Sequence, residues 1–121
     1  MPTKALFLFS IILFIGCQSE PQYTEDQLLG QWNLTEWKDL TNDKAIDGTV
    51  QFIFEAESRY TGTYGKLKEV GKFWIEGDNL HTIEDGKAEK KVKIEKLNSD
   101  TLIFGMNRVG NLEQMILIKA N

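Results

Sequence analysis

From Thr49 to Lys119 the chain repeats one pattern: short runs in which apolar and polar residues alternate, divided by clusters of Gly, Asn and Asp. Thr49–Phe54 places Val50, Phe52 and Phe54 on one face, and Arg59–Tyr64 sets Tyr60, Gly62 and Tyr64 against Thr61 and Thr63. Val70–Glu76 puts Phe73 and Ile75 opposite Trp74, and Lys91–Leu97 puts Val92 and Ile94 opposite Lys91, Lys93 and Glu95. Leu80–Glu84, the series Leu102, Phe104 and Met106, and Met115–Lys119 supply three more runs. A period of two marks strands with one buried face. With a strand opening at Gln31 there are eight. Ahead of them Thr24–Gly30 reads as one helical turn: Thr24 caps it, Glu25 and Asp26 favour its positive end, and Gly30 stops it.

The dividers are short. Asp47-Gly48, Glu57-Ser58, Gly65, Gly77-Asp78-Asn79, Asp85-Gly86, Asn98-Ser99-Asp100 and Gly110-Asn111 are turn residues, and none leaves room for a crossover helix. Parallel pairing is excluded. The pattern predicts an all-β fold: an eight-stranded antiparallel up-and-down barrel preceded by one short N-terminal helical turn, in which closure removes both sheet edges. A two-sheet sandwich is the alternative, but it normally needs longer Greek-key connections.

The first strand opens with Gly30-Gln31-Trp32. A helical turn followed by Gly-x-Trp at the head of an eight-stranded meander resembles the lipocalins and the smaller bacterial lipocalin-like domains. The likeness covers most of residues 24–119, through LLGQWNLTEW, DGTVQFIF, TGTYG and GKFWIEGDNL. It implies a barrel that holds a small molecule, and a basic side chain from the barrel's end laid across the Gly-x-Trp indole. First and last strands of such a meander are antiparallel neighbours, so Lys119 at the end of the last faces Trp32 at the start of the first. Gly30, Trp32 and Lys119 are therefore the expected barrel-closing set. The chain is shorter than a typical lipocalin and lacks the long helix that follows the barrel there, which implies a shallow calyx.

Residues before the domain suggest an address. MPTKALFLFSIILFIG carries Lys4 near its start and an apolar core over Ala5–Ile15 broken only by Ser10, the form of a secretory signal peptide. That core is well short of the about 20 residues a bilayer span requires. Phe14-Ile15-Gly16-Cys17 resembles the lipobox of bacterial lipoproteins, with Phe14 where Leu is usual. The resemblance implies a signal peptide at 1–16, and acylation of Cys17 by diacylglycerol and a palmitate-type chain. It further implies a lipid anchor in the bacterial cell envelope, with the outer membrane the expected site and the leaflet unassigned. An ordinary cleaved signal peptide is the other reading, but it leaves Cys17, the one cysteine, without a disulfide partner. Residues 17–23 read as a lipidated tether and 24–121 as the barrel domain.

Net charge is −4, and Lys4 is the only charged residue of the leader, so the remainder is more acidic still. That argues against nucleic acid as a partner. His81 is the single histidine and has no ligand-spaced neighbours in HTIEDG, so it reads as an outward or half-buried strand residue. Asp39, Asn42, Asp43 and Asp47 lack the Gly and Glu that an EF-hand requires and read as a solvated loop. No nucleophile–base pair, metal-ligand set or phosphate loop is visible, so neither an enzyme nor a cofactor nor a metal is expected.

The candidate ligand-binding set is the inner face: Phe52, Phe54, Tyr60, Tyr64, Phe73, Leu102, Phe104 and Met106, with Arg108 (or Arg59) beside a turn where it could meet a carboxylate. These residues are mostly apolar, with two phenols as the regular polar groups, which suits a small apolar or amphipathic molecule. Trp37 and Trp74 fall off the inward pattern. Two functions follow: a membrane-anchored monomer binding such a molecule, or an envelope protein–protein interaction module with a filled barrel and an unnamed partner. An open cavity favours the first and a filled barrel the second.

Overall fold

The structure, a computed structural model, describes residues 22–121. The leader, Cys17 and most of the tether lie outside the described residues. One helical turn, α1 (Glu25–Leu28), precedes β1 (Gly30–Asp39), β2 (Lys44–Ala45), β3 (Val50–Glu55), β4 (Arg59–Tyr64) and β5 (Leu67–Glu76). There follow β6 (Asn79–Glu84), β7 (Glu89–Leu97), β8 (Thr101–Arg108) and β9 (Asn111–Lys119).

β1 and β3–β9 pair in chain order, all antiparallel, and β1 pairs again with β9 to close the ring. This is the predicted eight-stranded up-and-down barrel. A sandwich would leave β1 with one neighbour; here it has two besides β2. β2 is an addition: the stretch expected as a solvated loop contains a two-residue strand folded back on the end of β1 through Lys38 and Asp39. Asp39 takes hydrogen bonds from the Asn42 backbone and side-chain amides at 3.0 and 2.9 Å, which hold its carboxyl below the ordinary carboxylate range. β5 and β9 also start earlier than the alternation suggests, because the inward positions ahead of Phe73 and Met115 include Glu69 and Glu113.

The barrel has a closed end and an open end. At the closed end α1 lies under the mouth of the ring. The backbone amide of Thr24 donates to Gln27 Oε1 at 2.8 Å, and Leu28 is wholly buried. The Trp32 indole N–H donates to the Leu28 carbonyl at 2.8 Å, tying turn and first strand together. Above them Phe54, Phe73, Leu102 and Leu117 pack with almost no exposure, Phe54 and Phe73 edge to face with centroids 4.9 Å apart. This layer is solid. Ring closure and core both lie within residues 28–119, so the described segment has no unpaired barrel edge and holds what a domain needs to fold by itself.

Candidate functional site

Above the packed layer the barrel is hollow. A cavity of about 620 Å³ opens between the strands at the end opposite α1. Its two sides differ. Along the contiguous arc β8–β9–β1–β3 the wall is Phe104 and Met106, Met115, Trp37 and Phe52. Along β5–β6–β7 it carries Glu69, Thr82, Glu84 and Lys90, with Leu80 and Val92 paired at that arc's lower edge. Tyr64 on β4 stands where the arcs meet, edge to face with Phe52 at 5.7 Å.

The polar arc is wired together. Glu69 is only 7% exposed, yet accepts from the Tyr64 hydroxyl at 3.3 Å through one oxygen and from Lys90 at 3.0 Å through the other. Gly62 lies directly across from it, and a Cβ there would sit 3.3 Å from the Glu69 carboxylate and 3.2 Å from the Phe52 ring. The missing side chain is what lets both fold inward. On the far lip Glu113 accepts from the Trp37 indole at 3.0 Å and from Arg108 at 3.5 Å. A third pair, Lys87–Glu84, stands at 3.8 Å. In each pair the carboxylate is the deeper partner and the cation reaches into solvent.

The phenols mark the boundary between solid and hollow halves. Tyr60 is 1% exposed, and its hydroxyl, near Thr82 and Glu69, meets neither with full hydrogen-bond geometry. Burial, then the nearby Glu69 charge, pushes it up to about 12. The same two causes raise Tyr64 well above the ordinary phenol range. Both remain protonated donors at neutral pH.

Of the ligand-binding residues expected from the sequence, Phe52, Tyr64, Phe104, Met106 and Arg108 line the cavity. Phe54, Tyr60, Phe73 and Leu102 face inward but belong to the packed layer beneath it. Alternation tells which side of the sheet a residue takes, not its height along the barrel axis. Arg59 points outward and pairs with Asp85 at 3.1 Å. Trp37, which falls off the inward pattern in the sequence, lines the cavity. Leu34 pairs with Leu117 but Glu36 with Ile116, so Thr35 is an extra residue, and this bulge flips the parity of everything after it on β1. Nothing in the sequence announces that bulge. Glu69, Thr82 and Glu113 are different. They share parity with Phe73, Leu80 and Met115, and could have been found by extending each alternation past its polar members.

Two further sets lie outside the cavity. Lys119 pairs directly with Trp32 across the β1–β9 seam, its ammonium 5.3 Å from the indole centroid. Gly30 has φ +122° and a Cβ there would meet Lys119 Cε at 2.7 Å, so glycine gives the lysine stem its passage. On the outer surface His81 stacks on Trp74 at 5.1 Å and 4°, between Glu89 at 2.6 Å and Glu76 at 3.2 Å.

Known proteins agree with this architecture. Residues 28–104 match the model of the lipocalin-like domain family. A solved lipocalin-like protein from Bacteroides uniformis superposes with a TM-score of 0.59 over 78% of this chain and 99% of its own, at 14% identity. No curated protein matches the chain. With the family match spanning more than half of its residues, the chain belongs to the lipocalin-like domain family.

Proposed function

We propose that this protein binds a small apolar or amphipathic molecule in the open half of its barrel, and that a lipid on Cys17 holds it at a membrane of the bacterial cell envelope. The observation that carries the first part is the cavity: about 620 Å³, within the range of small-molecule sites, bounded by aromatic and thioether side chains with a few convergent polar groups. The side chains that fill the closed end stop short of it. This reading makes the protein a carrier or receptor rather than an enzyme, with no cofactor. The second part rests on FIGC following a short apolar core. No helix among the described residues is long and apolar enough to cross a membrane.

Titration of residues 22–121 with dodecanoate and apolar dyes tests the binding reading, because Trp37 lines the cavity and reports on its contents. A saturable change in its emission is expected. No saturable change with any probe would leave the protein–protein module as the better reading. For the anchor, Cys17→Ser in the full chain should leave the protein unprocessed or released from the membrane. A processed mutant that still partitions into detergent would sink that part.

A further inference from the structure

The cavity's charge and polarity are divided lengthwise rather than end to end. Phe52, Phe104, Met106 and Met115 occupy one continuous arc; Glu69, Thr82 and Glu84 occupy the opposite one. A fatty acid has its polar group at one end and needs a uniform apolar sleeve. In this cavity an acyl chain would lay methylenes against a nearly buried carboxylate and a threonine hydroxyl. Displacing water from such groups without replacing its hydrogen bonds carries a cost for each group.

The polar arc also has unspent capacity. A carboxylate offers about four acceptor positions, and Glu69 uses one per oxygen, on Tyr64 and Lys90. Thr82 faces the cavity between them, directly paired with Lys90. Just below, the Tyr60 hydroxyl is buried without a well-formed hydrogen bond. Donors and acceptors thus run down one side of the cavity, facing a side that is apolar below the Arg108–Glu113 pair at its lip.

Building on the binding reading above, we propose that the ligand class is facially amphipathic. Such a molecule is a rigid, flat one, apolar on one face and bearing hydroxyl groups on the other, as in a hydroxylated polycycle. Its apolar face would lie on Phe52, Phe104 and Met106, and its hydroxyls would donate to Glu69 and exchange hydrogen bonds with Thr82.

The test compares two carboxylates below their micellar concentrations on residues 22–121: cholate, with three hydroxyls on one face, and dodecanoate, with none. Both carry the same charge, so attraction to the lip lysines cancels. Cholate should bind at least tenfold more tightly. Thr82→Val, nearly isosteric, should weaken cholate about fivefold, the loss of roughly one hydrogen bond, and leave dodecanoate unchanged or tighter. Glu69→Gln should act in the same direction, with circular dichroism checking that each variant is folded. Dodecanoate binding as tightly as cholate would overturn the facial proposal while leaving the binding reading intact. Equal effects of Thr82→Val on both probes would overturn it too. If neither probe binds, the proposal and the binding reading fall together.

Discussion

The two ends of this barrel use the same inward positions for opposite purposes. At the closed end Trp32, Phe54, Phe73 and Leu102 fill the interior, and the one polar atom they bring, the Trp32 N–H, is satisfied by the Leu28 carbonyl. At the open end the inward positions hold Glu69, Thr82, Glu84, Lys90 and Glu113 among the aromatics, and space is left over. One end is built for stability and the other gives stability up. Buried carboxylates held by solvent-exposed cations contribute little and are costly if broken. The contrast predicts that substitutions low in the barrel change unfolding free energy, while those high in it change binding.

The largest effect belongs at the closed end. Trp32→Ala removes a wholly buried indole and its hydrogen bond, and should cost about 3–5 kcal/mol in denaturant unfolding. Its counterpart, Met106→Ala, trims a half-buried side chain at the cavity wall. About 1 kcal/mol of destabilisation is expected there, since part of the side chain is already in water, together with a clear loss of ligand affinity. If the two variants destabilise equally, the division between the ends is wrong.

Between them the phenols give a pH signature. Tyr60 keeps its proton to about 12 when folded, against about 10 for a free phenol. The unfolded chain therefore releases that proton first, and its stabilising contribution is intact below pH 10 and lost as the pH rises toward 12. Melting temperature should fall across that window, with phenolate absorbance lagging behind that of the unfolded chain. Tyr60→Phe discards a hydroxyl that makes no well-formed hydrogen bond, so it should shrink the alkaline loss with little effect at neutral pH. An unshifted Tyr60 titration would contradict the burial on which this rests.

The sequence carried the closed end far better than the open one. Apolar alternation in runs such as TVQFIF reports strands, facing and order directly, and Gly30-Gln31-Trp32 with Lys119 locates the seam. It cannot report height along the axis, which strand stagger sets. Phe54 and Phe52 therefore look alike in the sequence, and both are buried, yet only Phe52 also lines the cavity. Charged residues at inward positions interrupt alternation, so the expected strand opens only at Val70, although β5 begins at Leu67 and includes Glu69. The bulge at Thr35 hides Trp37 altogether. A binding site departs from the pattern of a good core, and those departures are where sequence reading fails.

At the seam, Lys119→Ala should cost about 0.5–1 kcal/mol, the worth of an ammonium over an indole near the surface. Lys119→Arg should keep or raise stability, since a guanidinium stacks better. Binding in the cavity at the other end should not change for either variant. A variant that loses affinity without losing stability would show that the two ends communicate.

The smallest effect is a gain, at the open end. Val109 sits in the β8–β9 turn with φ +54°, fully exposed, followed by Gly110 at φ +85°. Two successive positive φ values are those of a type I′ hairpin turn, for which Asn-Gly is the favoured pair. A β-branched residue in that conformation is strained and buries nothing here to compensate. Val109→Asn should therefore stabilise the barrel by about 0.5–1 kcal/mol in equilibrium unfolding. The gain falls at the mouth, beside Arg108 on the cavity lip, so it should leave the packed closed end untouched. A destabilised Val109→Asn would mean that the valine side chain makes a contact at the mouth that outweighs its strain.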